Sequence, residues 1–339
     1  MKKIFGKNAV LASSICTLLL ALASLLPASA WKGDDNDDGP KFGPWSAPVN
    51  LGSPVNTPFA EMNAFISKDG LSFYFACFNC RGNIGGSDIW VSQRASVSDR
   101  WGTPQNLGPN INTSAGEGGP ALSSDGHRLY FTSNRPGGFG GNDIYVSRRN
   151  NKRDDFAWQP PENLGSGVNT AADEGGPAFF EDDKTGVITL YFNSSRPGGI
   201  GDADIYTSTL NEVDEHEAFG PAVLVAELSS PFTDQAPAIR RDGLEIFLAS
   251  NRPGSIPPPP GLPSQVLDLW VATRASTSDS WSTPVNAGPV VNSEFIDAGP
   301  ALSFDGTELY FYSPFRSGNV GGPMFDIWVS TRTKLKHPE

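Results

Sequence analysis

The sequence predicts an all-β fold, a five-bladed propeller of four-stranded blades closed by its own N-terminal strand. Three observations carry this. One sequence motif recurs five times, its copies beginning at Trp45, Trp101, Trp158, Phe219 and Trp281, at spacings of 56, 57, 61 and 62 residues. A period of this length marks an array of identical supersecondary units. Each copy contains short β-favouring runs separated by turn signals, and no stretch shows sustained helical periodicity with caps.

The fullest copy sets the order of the elements. It reads Trp101-x-x-Pro104-x-Asn106-Leu107-Gly108, then Ile111-Asn112-Thr113, Glu117-Gly-Gly-Pro120, Asp125-Gly126, Leu129-Tyr130-Phe131, Asn134-Arg135-Pro136-Gly-Gly138 and Asp143-Ile144-Tyr145. A first strand follows Glu-Gly-Gly-Pro, a second lies on Leu-Tyr-Phe and a third on Asp-Ile-Tyr-Val. The fourth is the Trp-x-x-Pro-x-Asn-Leu-Gly that opens the next copy. Asp-Gly pairs at 69–70, 125–126, 242–243 and 305–306 are hairpin turns. Four strands per repeat make one propeller blade, and radial closure protects the strand edges. The last copy ends without another Trp-x-x-Pro-x-Asn-Leu-Gly, whereas Trp45–Gly52 has no earlier blade to join. The N-terminal strand is therefore expected to complete the fifth blade beside Asp326–Ser330.

The ends of the chain read differently from the repeats. Lys2, Lys3 and Lys7 precede an apolar run, Leu11–Leu26, that closes on Ala28-Ser29-Ala30. Residues 1–30 read as a secretory signal peptide, which implies a periplasmic or secreted product. Residues 31–44 are acidic and punctuated by Gly and Pro, and read as a flexible tether before a propeller over 45–339. Within the tether, Asp34-x-Asn36-x-Asp38-Gly39 opens like a calcium loop but lacks the bidentate Glu at its twelfth position. Calcium is the one cofactor it suggests, and a solvated acidic tether is the other reading.

Composition excludes several function classes. A net charge of -12 with 25 basic residues offers no basic face for a nucleic acid backbone or an anionic membrane, and no further segment has the roughly 20 apolar residues needed to span a bilayer. The three histidines, His127, His216 and His337, are widely separated, so a histidine metal site or a His-dependent triad is poorly served. No G-x-S-x-G elbow and no phosphate-binding glycine loop occurs. Beyond the leader only Cys77 and Cys80 remain, and an oxidising compartment favours a disulfide between them. Along a straight strand their Cα atoms would stand about 10 Å apart, beyond the reach of a disulfide, so the chain must turn there.

The block Glu-x-x-Pro, Asp-Gly, Leu-Tyr-Phe, Asn-Arg-Pro-Gly-Gly, Asp-Ile-Tyr at 117–145, matched in part at 174–206 and 297–328, resembles the WD-repeat-like propeller repeats of exported bacterial proteins of the TolB-like kind. That resemblance implies a protein- or glycan-binding interaction module in the cell envelope or outside the cell, without enzymatic activity. The separate N-terminal α/β domain of TolB-like proteins has no counterpart here.

One acidic residue recurs at the head of each inner strand: Glu61, Glu117, Glu174, Asp234 and Asp297. A ring of carboxylates around one channel mouth could bind a ligand or a cation. It could also supply a glycan-active enzyme, with Glu61, Glu117 and Glu174 as the catalytic candidates. Each copy also carries an arginine, at Arg81, Arg135, Arg196, Arg252 and Arg316, and acid–arginine ion pairs holding the ring together are the third reading. A second series, Asp88, Asp143, Asp204, Asp268 and Asp326, stands beside Gly-rich loops and is expected to accept backbone N–H groups there.

Departures from the repeat mark the candidate specialised surface. The first copy replaces Gly-Gly-Pro with Met62-Asn63-Ala64 and contains Cys77-Phe78-Asn79-Cys80; the fourth carries the proline-rich loop Ser255–Pro263. Binding concentrates on loops held by rigid scaffolds, so Phe78 and Asn79 are expected in a stapled, exposed turn that contributes to the ligand site.

Overall fold

The computed structural model describes residues 41–213, 216–261, 266–320 and 322–335. The leader, most of the expected tether and the calcium-like stretch at 34–39 lie outside them.

Every described regular element is a β-strand, and the strands form five sheets. The first blade is Ala60–Ile66, Ser72–Phe78, Ser87–Gln93 and Gln105–Asn106; the second is Glu117–Leu122, Arg128–Ser133, Asp143–Arg148 and Glu162–Asn163. The third is Glu174–Glu181, Ile188–Ser194, Asp204–Val213 and Val223–Leu224, with Asp204–Val213 prolonged into a hairpin with His216–Phe219. Asp234–Ile239, Glu245–Ser250, Asp268–Thr273 and Val285–Asn286 make the fourth. The fifth takes Ala298–Leu302, Glu308–Ser313 and Asp326–Thr331 from the C-terminal part and Val49–Asn50 from the N-terminal part. Val49 pairs with Val329 and Asn50 with Trp328, which is the closure the orphan first motif predicts.

Residues 41–43 depart from the tether expectation. Gly43 N–H donates to Thr333 O, Leu335 N–H donates to Lys41 O, and the Phe42 ring lies 3.8 Å from the Arg332 guanidinium. Backbone pairing and an aromatic–cation contact hold this segment, whereas composition shows only its polarity.

The recurring motif residues each have a structural duty. Trp45, Trp101, Trp158 and Trp281 lie under the guanidinium groups of Arg332, Arg94, Arg149 and Arg274 at 4.1–4.2 Å, contacts worth about 0.5–2 kcal/mol each. Asn106 donates to Asp88 at 2.6 Å and accepts from Gly108 N–H and from Asn112, which in turn brackets Ile89 N–H and C=O. The same clamp recurs on Asn163–Asn169, Asn286–Asn292 and, across the closure, Asn50–Asn56. Asp88, Asp143, Asp204, Asp268 and Asp326 accept the N–H groups of Ile84, Phe139, Ile200, Ile256 and Val320. Apolar clusters fill the spaces between neighbouring blades, so each blade buries its faces on its neighbours.

Candidate functional site

The five head acids are all buried, and four of them are neutralised by arginine. Arg135 reaches Glu117 at 3.2 Å, Arg196 reaches Glu174 at 3.3 Å, Arg316 reaches Asp297 at 2.6 Å, and Arg252 pairs with Asp234. Each guanidinium also donates to a backbone carbonyl of the preceding connection, Ile111, Val168, Leu228 or Val291. Each acid closes the turn before it as well: Thr113 N–H and Oγ donate to Glu117 at 2.8 and 2.7 Å. Removing one partner from such a pair leaves a buried charge uncompensated, at a cost of about 3–5 kcal/mol.

Blade 1 breaks this rule. Arg81, the fifth arginine of the sequence reading, is exposed and forms no ion pair among the described residues. Cys77 stands opposite Glu61 as Ser133 stands opposite Glu117, and Cys80 follows Cys77 by three positions, as Arg316 follows Ser313. The residue before each has a left-handed backbone, Asn79 at φ 56° and Phe315 at φ 57°. Cys80 therefore takes the arginine's place. The sequence reading put Arg81 in this slot because one residue added after Cys77 shifts the loop.

The Asn79 turn brings the Cys77 and Cys80 Cα atoms to 5.8 Å, and the two are joined by a disulfide. Their sulfurs lie 3.4 and 3.8 Å from the Glu61 carboxyl. The three side chains make a cluster of metal-ligating type, but bonded sulfurs carry no thiolate for a metal. Glu61 is left with Thr57, whose N–H and Oγ donate to it at 3.1 and 2.5 Å. Burial, helped by the Asp326 charge, outweighs these hydrogen bonds and raises its pKa from 4.5 to about 7. It alone of the five head acids lacks a counter-ion among the described residues.

Beyond the acids, each inner strand carries a bulge that lets a left-handed residue face the axis. These residues are Asn63, Gly119, Gly176, Ala236 and Gly299, with φ between 50° and 60°. The strands converge so closely that a Cβ on Gly176 would fall 2.9 Å from Ala236 Cα, which explains the repeated Gly-Gly. Asn63 is the residue of this ring with a hydrogen-bonding side chain. Its amide oxygen lies 2.7 Å from where a Cβ on Gly299, in the neighbouring fifth blade, would stand.

Above the ring lies an axial pocket of about 320 Å³, lined mainly by Asn63, Thr132, Asn134, Asn193, Gln235 and Tyr312 with the backbone of the paired glycines. The one carboxylate on its wall is Glu117, in its ion pair with Arg135. Thr132 Oγ is buried without a hydrogen-bond partner. Burial raises the Tyr312 pKa to about 12, so its hydroxyl keeps its proton. Phe78 is 44% exposed and pairs across the ladder with Ser87, a residue of the pocket wall. The site is thus neutral and rich in amides and hydroxyls with one aromatic beside its edge. Of the residues singled out in the sequence, Glu117 lines this pocket and Phe78 pairs with its wall residue Ser87, whereas Glu61 and Asn79 are not on its lining; Thr132, Gln235 and Tyr312 were overlooked. The replacement of Gly-Gly-Pro by Met62-Asn63-Ala64 was the signal that pointed to Asn63.

No family model matches the chain, and no curated protein matches it. Solved structures do. The chain is similar to an α-L-arabinofuranosidase from Lactobacillus brevis, with a TM-score of 0.55 and 16% identity over 85% of this chain and 96% of that one. A levansucrase matches with a TM-score of 0.53 and 12% identity over 85% and 86%. A Bacillus subtilis arabinanase follows at 0.51 and 12% over 84% and 97%. At these identities the likeness establishes the shared propeller fold.

The comparisons correct two expectations. The matching propellers named above are an arabinofuranosidase, a levansucrase and an arabinanase, not WD-repeat or TolB-like proteins, and the non-enzymatic interaction module implied by that resemblance falls with it. The Asp-Gly turns, Asn-Arg loops and Asp-Ile-Tyr strands that carried the resemblance are demands of blade geometry, met here by hydrogen-bond clamps and ion pairs, and they do not separate one propeller family from another.

Proposed function

We propose that this chain is a glycan-active enzyme of the glycoside hydrolase type, taking its saccharide at the axial pocket. The observation that carries the reading is the neutral, hydroxyl- and amide-lined pocket on the propeller axis, in a fold shared with an arabinofuranosidase, an arabinanase and a levansucrase. Saccharides are recognised by many directional hydrogen bonds. Asn63, Thr132, Gln235 and Tyr312 supply groups with no hydrogen-bond partner among the described residues, and Thr132 Oγ, buried as well as unpaired, is costly unless a ligand or water completes it. Phe78 stands beside the wall residue Ser87, with Asn79 next in the turn, and the reading assigns the Phe78 ring to the apolar face of a bound sugar.

Glycosidic cleavage needs a proton donor and a carboxylate. Glu61, two residues from Asn63 but buried and not itself on the pocket wall, has the raised pKa of about 7 that suits a general acid near neutrality, and the reading has it deliver its proton toward the pocket through one bridging water. Glu117, ionically paired on the pocket wall, suits the second role. Glu174, Asp234 and Asp297, each tied to an arginine, are assigned to holding the ring. The replacement of arginine by Cys80 beside Glu61 then has a purpose, since a guanidinium there would favour the charged form and remove the acid.

The test is release of reducing sugar or aglycone from arabinofuranosides, arabinan and sucrose. The wild-type chain is expected to turn over at least one of them, Glu61→Gln to lose about 10²–10⁴-fold in kcat, and Asn63→Leu to raise KM. Absence of turnover on the whole set, or turnover unaltered in Glu61→Gln, would overturn the reading.

A further inference from the structure

The opposite mouth of the channel holds a second cavity, of about 520 Å³, unlike the first in every chemical respect. Its floor is a ring of one apolar residue from each inner strand: Ile66, Leu122, Phe179, Ile239 and Leu302. This ring obeys the five-fold repeat. The rim above it does not. The residue before each Asp-Gly turn is Lys68 in the first copy, Ser124 in the second, Arg241 in the fourth and Phe304 in the fifth, while the third copy inserts a longer acidic turn. Lys152 and Arg153 enter from the connection after the third strand of blade 2.

Charge at this rim runs against the whole protein. In a chain of net charge -12, five cationic side chains face the cavity, Lys68, Arg149, Lys152, Arg153 and Arg241, against two carboxylates, Asp69 and Asp125. Both carboxylates are committed locally, Asp69 to Ser67 and Leu71 N–H, Asp125 to Ser123, His127 N–H and Arg128. Arg149 is held by Asp155 and Arg241 by Asp183. Lys68, Lys152 and Arg153 form no ion pair among the described residues, and Lys68 Nζ sits 4.5 Å from the centre of the Phe304 ring.

We propose that this second cavity is a binding site for a carboxylated saccharide of the uronate class, distinct from the axial pocket and independent of the activity assigned there. An apolar floor and the half-buried Phe304 ring at the rim suit a ring with one hydrocarbon face. The free cations suit negative charge at that ring's edge, because a concave site of one sign concentrates ligands of the other. They stand apart on two blades rather than converging. Among the described residues no helix occurs, so no helix N-terminus points into the cavity as a phosphate site would use. Several carboxylates spaced along a short chain fit that distribution better than one compact anion.

Titration calorimetry of the full chain with trigalacturonate at low and at 0.2 M salt tests this. Binding is expected, weakening with salt and at least tenfold weaker for the same trisaccharide with its carboxyls reduced to alcohols. The triple variant Lys68→Ala, Lys152→Ala, Arg153→Ala should lose at least tenfold in affinity with an unchanged melting temperature. The variant with Lys68 and Lys152 both changed to Arg should retain binding. No binding of trigalacturonate, equal binding of the reduced analogue, undiminished affinity in the triple variant, or full displacement by an equal concentration of inorganic phosphate would each overturn the proposal. Because the axial pocket is untouched by these substitutions, failure here leaves the hydrolase reading standing, and failure of hydrolysis leaves this one.

Discussion

Replacing Glu61 by Gln should stabilise the protein at alkaline pH while removing the proposed acid. A glutamate whose pKa rises from 4.5 unfolded to about 7 folded holds its proton more tightly in the native state. Below about pH 4.5 the group is neutral in both states and imposes no penalty. Between pH 4.5 and 7 the unfolded chain ionises first, so stability falls as pH rises, and above 7 the folded protein carries the full penalty. A rise of this size at about 1.4 kcal/mol per pH unit gives roughly 3 kcal/mol. Glu61 is fully buried, so solvent screening does not reduce it. The amide oxygen of Gln accepts only part of what Thr57 donates to two carboxylate oxygens, which returns about 1 kcal/mol. The net gain is roughly 2 kcal/mol at pH 8. With an unfolding entropy of about 2.1 cal/mol/K per residue over roughly 300 residues, that raises Tm by about 3–4 °C. Denaturant unfolding of wild type and variant at pH 4.5, 6 and 8 measures it. The expected pattern is a variant equal to or slightly below wild type at pH 4.5 and above it at pH 8. A variant less stable by the same amount at every pH would refute an uncompensated carboxyl at this position.

Three further outcomes follow from the ring and its closure. Arg252→Ala strands the fully buried Asp234 and should cost about 3–5 kcal/mol, roughly 5–8 °C in Tm; calorimetry showing less than 1 °C of change would contradict the ion-pair account. Deleting residues 45–52 removes the Val49–Asn50 ladder, the Asn50 bond to Asp326 and the Trp45 stack on Arg332. The melting temperature should fall by about 10 °C or more, and an unchanged curve would contradict the closure. Replacing Cys77 and Cys80 together by Ser should leave the propeller folded, because closing so short a loop stabilises by about 2 kcal/mol at most. The new hydroxyls can donate to Glu61, so the pH dependence of stability between 4.5 and 7 should flatten in that variant; an undiminished slope would contradict the contact.

How much the sequence disclosed depended on whether a residue obeys the repeat. Glu117 with Arg135 and Asp88 with the Ile84 amide were legible because five copies place them at matching offsets, and periodicity turns such matches into contacts. Val49–Asn50 was legible because an orphan fourth strand has one open edge to fill. Arg81 was misread because one residue added after Cys77 shifts the loop, and spacing cannot distinguish an arginine in the slot from one beside it. The bulge at Asn63 was invisible for a different reason. A left-handed backbone at the axis is natural for Gly119, Gly176 and Gly299, but at Asn63 it follows only from the convergence of the inner strands. Thr132 and Tyr312 lie on second strands, where alternation tells the buried face but not which buried residue ends beside a channel.

Saccharide binding by wild type, Asn63→Leu and the triple variant of the opposite rim tests the central claim most directly. Titration calorimetry with a neutral arabino-oligosaccharide should give binding to the wild type and to the rim variant, and at least a tenfold loss in Asn63→Leu, whose side chain keeps the volume and drops the amide at the axial mouth. Equal affinity in Asn63→Leu and wild type, or no binding by any of the three, would contradict the axial pocket as the glycan site.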